Sequence, residues 1–163
     1  MNAIISQNTT PIAEREADIL GHPPRIAPLA TEEIAPEVRA VIDDCVRAAG
    51  REPPPHPTEH TAIMVRNSAL YEVHTALGLQ LYRGALPVRW REIAILRIAW
   101  MTQSPYEWGE HVAVGKLLGG LTGEDVERMR HGTSAPGWDE ADRAVAAAVE
   151  ELLAHAMISA ATW

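Results

Sequence analysis

The chain has 163 residues, is 47% hydrophobic and carries a formal net charge of −8 at pH 7. This length supports one domain with a substantial core, and the acidic balance without basic clusters argues against nucleic-acid and anionic-membrane partners. A single cysteine, Cys45, excludes an internal disulfide framework and any paired-cysteine redox or zinc motif. Because the chain has no apolar run of membrane-spanning length and no secretory leader pattern, we expect a cytoplasmic protein.

The N-terminal part of the chain is predicted to differ from the rest. Residues 1–24 are polar, show little periodicity and end in Gly-His-Pro-Pro, which predicts a partly flexible N-terminal arm. Residues 25–163 are predicted to form one helical domain. Within it, Thr31 is expected to cap a helix that runs to about Ala49 and is interrupted near its start by Pro36, and the proline-rich segment 51–57 is the clearest loop.

A short helix is predicted over residues 60–66, and Asn67 or Ser68 is expected to cap a longer one that ends near Arg83. One apolar stripe of the longer helix consists of Leu70, His74, Leu77 and Leu81. His74 is the only polar member of that stripe. It is either a core or interface histidine, or a substrate-binding residue that faces the same cavity as His111.

The stretch 92–111 is predicted to be the centre of the molecule. From Ile93 to Met101 it is apolar on every side except at Arg97, which is typical of a buried helix. A second helix begins at Ser104-Pro105, after a turn of only about two residues. Helices joined by so short a turn pack antiparallel, so we expect a buried helical hairpin.

The hairpin carries three candidate catalytic residues, Glu92, Glu107 and His111. Glu107 and His111 are four residues apart and share a helix face, and Glu92 can approach the imidazole from the other helix, with a water between them if needed. Two carboxylates and an imidazole are the groups that general acid/base catalysis uses. However, Ser104 and Glu107 also fit a capping box, and His111 fits a satisfied core histidine. Glu92 has three candidate ion-pair partners near it in the sequence, Arg89, Arg91 and Arg97.

The chain after the hairpin is also predicted to be helical. Gly119-Gly120 ends the second hairpin helix, and Thr122 is expected to cap a short one. Residues 131–138 form a predicted loop, after which Asp139 caps a last helix that ends near His155. The sequence shows no strand-length alternation and no repeats, so it predicts an all-α fold.

Four segments together resemble the carboxymuconolactone decarboxylase family, part of the alkyl hydroperoxidase D-like superfamily. They are RIAPL at 25–29, LPVRWREIAILRIAW at 86–100, YEWGEHVAVGKLLGGLT at 106–122 and APGWDEADRAVAAAVEELLAHAMISAATW at 135–163. The resemblance implies an alkyl hydroperoxidase D-like helical bundle built around the hairpin. It also implies assembly into a homotrimer or homohexamer, with cavities near the subunit contacts.

The resemblance also distinguishes two branches of that superfamily. The peroxidase branch has a glutamate, two cysteines and a histidine at fixed spacing; here Glu92 and His111 match, but the cysteine positions hold Ser104 and Glu107. A thiol peroxidase needs both sulfurs, one to reduce the substrate and one to resolve the oxidised thiol. The decarboxylase branch keeps the glutamate and histidine and tends to carry a carboxylate at the second cysteine position, and this chain resembles that branch.

The resemblance and the residues together predict a cofactor-free carbon–carbon lyase that decarboxylates or isomerises a small lactone or keto-acid-type substrate. His111 would transfer a proton, Glu92 would orient the imidazole, and Glu107 would be the second acid/base group. Arg97 or the first backbone amides after Ser104 would hold a carboxylate or an oxyanion. The full set of predicted substrate contacts is His74, Arg97, Trp100, Ser104, Tyr106 and Trp108.

Three other interpretations stay open from the sequence. In the first, the chain is a non-catalytic helical oligomer that binds a small apolar ligand or a partner, and the polar trio is a satisfied buried network. In the second, His74 joins the trio to bind a metal; since the chain lacks a paired-histidine motif, we expect no metal. The third, an alkyl hydroperoxidase-type peroxidase, is disfavoured by the missing thiols.

Overall fold

The structure is a computed structural model that describes residues 11–48 and 50–163. Throughout these residues the regular structure is helical, with no β-strand, as the sequence predicts. The α-helices are α1 (Ile12–Leu20), α2 (Pro36–Ala48), α3 (Glu59–Met64), α4 (Ser68–Arg83), α5 (Val88–Thr102), α6 (Pro105–Leu118), α7 (Gly123–His131) and α8 (Glu140–His155). The predicted helix end at Ala49 and the first residues of the predicted arm, 1–10, lie outside the described residues.

The described chain divides into two compact units. One consists of residues 11–21 and 86–163, and the other of residues 22–85. Within the first unit, α1 packs against α6, so part of the predicted arm is a helix with its own contacts. The division into an arm and one domain that starts at residue 25 stays a prediction.

The first unit is built around the hairpin of α5 and α6, which are joined by Gln103 and Ser104 alone. Gln103 adopts the left-handed conformation, with φ of 54°, and its N–H and that of Ser104 bond back to carbonyls in the last turn of α5. This is the usual way in which a helix end satisfies its last carbonyls while the chain reverses. The predicted two-residue turn and the hairpin are confirmed.

The core of this unit is one apolar cluster, formed by Ile93, Leu96, Leu121, Met129 and Ala146. These residues come from α5, α7, α8 and the segment that follows α6, so the hairpin is held by the helices after it. The prediction that α5 is buried on every side is too broad, because Ile98 is 44% exposed. The reason is that only part of the surface of α5 packs against the core cluster, which leaves the apolar Ile98 exposed.

The second unit has a separate core of Ile34, Ile42, Val65 and Tyr71. Its helix α4 begins after Asn67, whose side chain accepts a hydrogen bond from the Leu70 N–H, as predicted. The predicted stripe of this helix is not a core in the single chain, because Tyr71 makes the buried contact instead. The stripe residues are all exposed: Leu70, His74, Leu77 and Leu81.

Most predicted helix caps are found, and one is corrected. The side chains of Thr122 and Asp139 accept hydrogen bonds from the first turns of α7 and α8, as the sequence indicates. Thr31 does not start a long helix. It begins a short 3₁₀ helix, Thr31–Glu33, and α2 starts separately at Pro36, because proline fits the first helical position but not the interior.

Candidate functional site

The hairpin brings Glu92 and His111 into direct contact. Glu92 has no exposed surface, and its Oε2 lies 2.7 Å from Nδ1 of His111, whose side chain is 12% exposed. The side chains meet directly, without the intervening water that the sequence analysis allowed for. A buried carboxylate beside an imidazole is a short, charge-assisted contact of the kind that orients a catalytic histidine.

The second oxygen of Glu92 has its own partner. Nε of Arg91 donates to Oε1 of Glu92 at 3.0 Å, and Arg91 is itself 8% exposed. Of the three arginines that the sequence offers to Glu92, the structure pairs it with Arg91. Both carboxylate oxygens are therefore engaged, which a fully buried charge requires.

Glu107 completes the trio from the outer side. Its Oε2 lies 3.5 Å from Nε2 of His111, one helical turn away, and its side chain is 50% exposed. The capping-box alternative is not realised in the described structure, because the Ser104 side chain forms no hydrogen bond to the first turn of α6. The Glu107 carboxylate therefore faces the imidazole and solvent and does not cap its own helix.

The contacts of His111 determine what its two nitrogens can do. If Glu92 is ionised, it only accepts hydrogen bonds, so the short contact requires an N–H at Nδ1 of His111 and leaves a lone pair on Nε2 of a neutral ring. Nε2 lies on the side of Glu107, which is half exposed.

Two glycines lie beside Glu92 near the C-terminal end of α6, Gly115 inside the helix and Gly119 just after it. A Cβ on Gly115 would overlap Cδ1 of Leu121 at 2.7 Å, and its distance to Cβ of Glu92 would be an ordinary 3.5 Å. A Cβ on Gly119 would lie 2.9 Å from the Gly115 carbonyl oxygen and 3.4 Å from Cγ of Glu92. Gly119 was predicted only to end the helix, and the packing role of Gly115 was not predicted, although a glycine inside a helix indicates close approach of another element.

Arg97 is engaged by other groups of the protein, and its predicted contact with substrate stays a prediction. Its Nε donates to Oε1 of Glu150 at 2.9 Å, and its Nη1 donates to the Met129 carbonyl oxygen at 2.7 Å. It follows Glu92 by five positions and so points to a different side of α5. The structure thus uses Arg97 to tie α5 to α7 and α8.

The predicted aromatic contacts divide into packed and exposed residues. Trp100 and Trp108 pack together with ring centroids 5.1 Å apart, and the Arg130 guanidinium lies 4.8 Å from the Trp100 ring. Trp108 also packs on the core cluster of this unit. These contacts fit a structural role for the two tryptophans. Tyr106 is 58% exposed.

Two other predicted substrate contacts have different positions relative to the trio. Ser104 precedes α6 and is partly buried at the turn of the hairpin. His74 lies on α4, in the other compact unit, and is exposed there. Its sharing of a cavity with His111 stays a prediction.

Neither a metal site nor a membrane-spanning helix is found in the described parts of the chain. Residues 11–48 and 50–163 contain no group of three or more acidic, histidine or cysteine side chains arranged to hold a metal ion. In the same residues, no helix is both long and apolar enough to cross a membrane.

The helices and the trio define an all-α protein with a polar site on its central hairpin. The sequence profile of the carboxymuconolactone decarboxylase family matches residues 68–150, just over half of the chain. The chain belongs to that family, and its fold is the all-α, alkyl hydroperoxidase D-like one that the sequence predicts. The match runs from α4 into α8 and includes the hairpin. Comparisons with curated proteins and with solved structures found no significant match.

Proposed function

We propose that this family member is a cofactor-free acid/base enzyme whose site is Glu92, His111 and Glu107. One observation carries the proposal: a largely buried imidazole lies between a carboxylate with no exposure and one that is half exposed. The Glu92 carboxylate orients the ring, and the Glu107 carboxylate lies where a substrate can reach it. The proposed reaction is decarboxylation or isomerisation of a small lactone or keto-acid-type substrate; with decarboxylation, the enzyme would be a carbon–carbon lyase.

The proposed chemistry is proton transfer at carbon. In an isomerisation, Nε2 of His111 removes a proton next to a carbonyl group, and the electron pair of that C–H bond forms an enolate. Glu92 stabilises the resulting imidazolium through Nδ1. The proton then returns at a different carbon, from His111 or from Glu107, so the double bond moves without a net change in protons.

In a decarboxylation the same groups act in a different order. The substrate carboxylate leaves as carbon dioxide, and the electrons of the broken C–C bond form the enolate. A protonated His111 or Glu107 then donates a proton to carbon. The first backbone N–H groups of α6, after Pro105, are suited to hold the enolate oxygen, since a helix N-terminus favours negative charge.

The experiment is a screen of lactones and keto acids, with detection of carbon dioxide release and of double-bond migration. The His111→Gln variant should keep its melting temperature within a few degrees and lose about a hundredfold to ten-thousandfold in rate, the usual worth of a general acid/base. If His111→Gln melts early and turns over at the wild-type rate, the trio is structural and the proposal is wrong.

A matched control is available on α7. His131 is paired with Glu127 through Nε2 at 3.0 Å, four residues apart, as His111 is with Glu107, but His131 is 65% exposed and has no buried carboxylate behind it. The His131→Gln variant should therefore keep both the activity and the melting temperature. An equal loss of activity in both variants would show that the assay reports histidine loss in general.

The alternative function is a non-catalytic helical oligomer that binds a partner or a small apolar ligand. The observation that favours an assembly is a run of exposed apolar side chains on α4, where Leu70, Val73, Leu77 and Leu81 are 55%, 68%, 60% and 63% exposed. We propose a homotrimer or homohexamer, in which this face is covered. Light scattering should give a trimer or hexamer mass at micromolar concentration, whereas a monomer would refute the assembly.

A further inference from the structure

We propose that Arg91 is a positioning residue that fixes the tautomer of His111 through Glu92. The inference rests on the proposed function, because it explains why Nε2 is the basic nitrogen of the site. Its geometric basis is a chain of two contacts. Nε of Arg91 donates to Oε1 of Glu92 at 3.0 Å, and the other oxygen, Oε2, lies 2.7 Å from Nδ1 of His111.

Arg91 keeps Glu92 able to accept a hydrogen bond. Glu92 has no exposed surface, and the positive charge beside it is that of Arg91. An ionised carboxylate only accepts hydrogen bonds, whereas a protonated carboxyl group has an O–H that it can donate to Nδ1. The guanidinium of Arg91 therefore decides the direction of the hydrogen bond between Glu92 and His111.

Two carboxylates favour different tautomers of His111. Glu92 draws the ring proton to Nδ1, and Glu107, whose Oε2 is 3.5 Å from Nε2, draws it to Nε2. The Glu92 contact is shorter and is buried, so it dominates as long as Glu92 is ionised. Without Arg91, Glu107 would hold the proton at Nε2, and the nitrogen that faces the substrate would lose its lone pair.

The other arginines of α5 are engaged with different acids. Arg97 binds Glu150 at 2.9 Å, and Arg89 binds Asp142 at 2.6 Å. Arg91 is therefore the arginine of α5 whose guanidinium contacts Glu92. These contacts also supply a matched control, because Arg97 is an ion-paired arginine with low exposure on the same helix.

The experiment measures the ring-nitrogen NMR shifts of His111 in the full chain, at a pH at which its imidazole is neutral. Wild-type protein should show a protonated Nδ1 and an unprotonated Nε2. In Arg91→Met and in the milder Arg91→Gln, which keeps a hydrogen-bond donor, the proton should move to Nε2. Arg91→Lys restores a positive charge and should restore the wild-type tautomer. Arg97→Met should leave the wild-type tautomer unchanged.

Two results would overturn the inference. The first is a wild-type His111 that carries its proton on Nε2, and the second is a folded Arg91→Gln that keeps it on Nδ1. A purely structural arginine would change the melting temperature in every Arg91 variant without moving the ring proton. Since the readout needs no substrate, it can succeed when no lactone or keto acid is turned over, and it can fail while the His111→Gln rate effect stands.

Discussion

Two polar clusters start on the same helix, three residues apart, and they are built differently. The first is the trio of Glu92, His111 and Glu107. The second, which we call the Arg89 cluster, joins Arg89 to Asp125 on α7 and to Asp142 on α8. Each cluster contains a buried carboxylate that is paired with a nitrogen-bearing side chain. Burial alone therefore does not distinguish a functional site from a structural ion pair.

The acids of the Arg89 cluster are held on many sides. Asp125 accepts hydrogen bonds from the N–H and the hydroxyl group of Thr122, at 2.8 and 3.0 Å, and from Arg128 at 2.6 Å. Asp142 accepts two bonds from Arg89, at 2.8 and 2.6 Å. The side chains of the two aspartates are only 6% and 5% exposed.

The trio is firmly held at one end only. The contact between Glu92 and His111 is as short as those of the Arg89 cluster, whereas that between His111 and Glu107 is 3.5 Å long and half in solvent. A structural ion pair stabilises the fold most when every buried polar group has a hydrogen-bond partner, because an unsatisfied buried group costs about 1–3 kcal/mol. An acid/base group must instead remain able to exchange a proton with a ligand. The long, half-exposed contact between His111 and Glu107 is compatible with such an exchange.

The largest expected effect is a loss of catalytic rate, which should occur on mutation of the trio and not of the Arg89 cluster. Glu107→Gln should lower the rate by about a hundredfold to ten-thousandfold, because it removes the outer acid/base group. Its melting temperature should hardly change, since Glu107 is half exposed and does not cap α6. Steady-state rates and thermal melts of the same preparation provide the two readouts.

Asp125→Asn is the counterpart of Glu107→Gln in the Arg89 cluster. It should lower the melting temperature and leave the rate per folded molecule unchanged, since Asp125 binds Arg89, Arg128 and Thr122 rather than the trio. If the two variants lose activity to the same extent, the distinction between the clusters fails.

The next effect is on stability. Arg89→Met should lower the free energy of unfolding by about 1–3 kcal/mol, because it leaves part of the hydrogen-bonding capacity of two buried aspartates unsatisfied. Denaturant titration measures this loss. An unchanged midpoint and slope would show that the Arg89 cluster contributes nothing to the fold.

A smaller effect is expected from the glycines of α6. Gly115→Ala should destabilise the protein by about 1–2 kcal/mol, because the new methyl group overlaps Cδ1 of Leu121. Gly109→Ala is the control on the same helix: nothing lies within 4 Å of its Cβ position, so it should stabilise by about 0.5–1 kcal/mol. Destabilisation of similar size in both variants would mean that close packing against Leu121 is not the cause.

The smallest effect is a pH dependence of the Arg89 cluster. Burial raises the pKa of Asp125, but hydrogen bonds from the Thr122 N–H and from Arg89 outweigh it and hold that pKa below its ordinary value. A carboxyl group with a lowered pKa in the folded state stabilises the fold above its unfolded pKa, near about 4, and loses that contribution as the pH falls through the folded value.

Removal of Arg89 takes away one of the causes of this lowered pKa. Wild-type stability should therefore fall more steeply below about pH 4 than the stability of Arg89→Met. Denaturant melts at a series of acidic pH values measure both slopes. Parallel curves for the two proteins would contradict the assignment.

The sequence was sufficient for the helices, the hairpin and the positions of the trio, because local signals determine them. Caps such as Asn67, Thr122 and Asp139 act on adjacent residues, and a two-residue turn places helix positions opposite each other with little freedom. The family's spacing of Glu92 and His111 then indicated which positions face each other.

The remaining features depend on tertiary packing, which periodicity does not encode. The choice of Arg91 over Arg97 as the partner of Glu92 follows from which faces of α5 meet α6 and α8. The α4 stripe was predicted with the correct residues, but Tyr71 occupies the core of this unit and the stripe stays exposed. The predicted capping box is absent because the Ser104 side chain makes no hydrogen bond to the first turn of α6.

The most direct test of the central claim is deuterium exchange at carbon in heavy water. Candidate lactones and keto acids are incubated with wild-type protein and with His111→Gln, and incorporation next to the carbonyl group is followed by mass spectrometry. If His111 moves a proton to and from carbon, wild-type protein catalyses the exchange and His111→Gln loses about a hundredfold or more of it. Equal exchange rates for the two folded proteins would contradict the account.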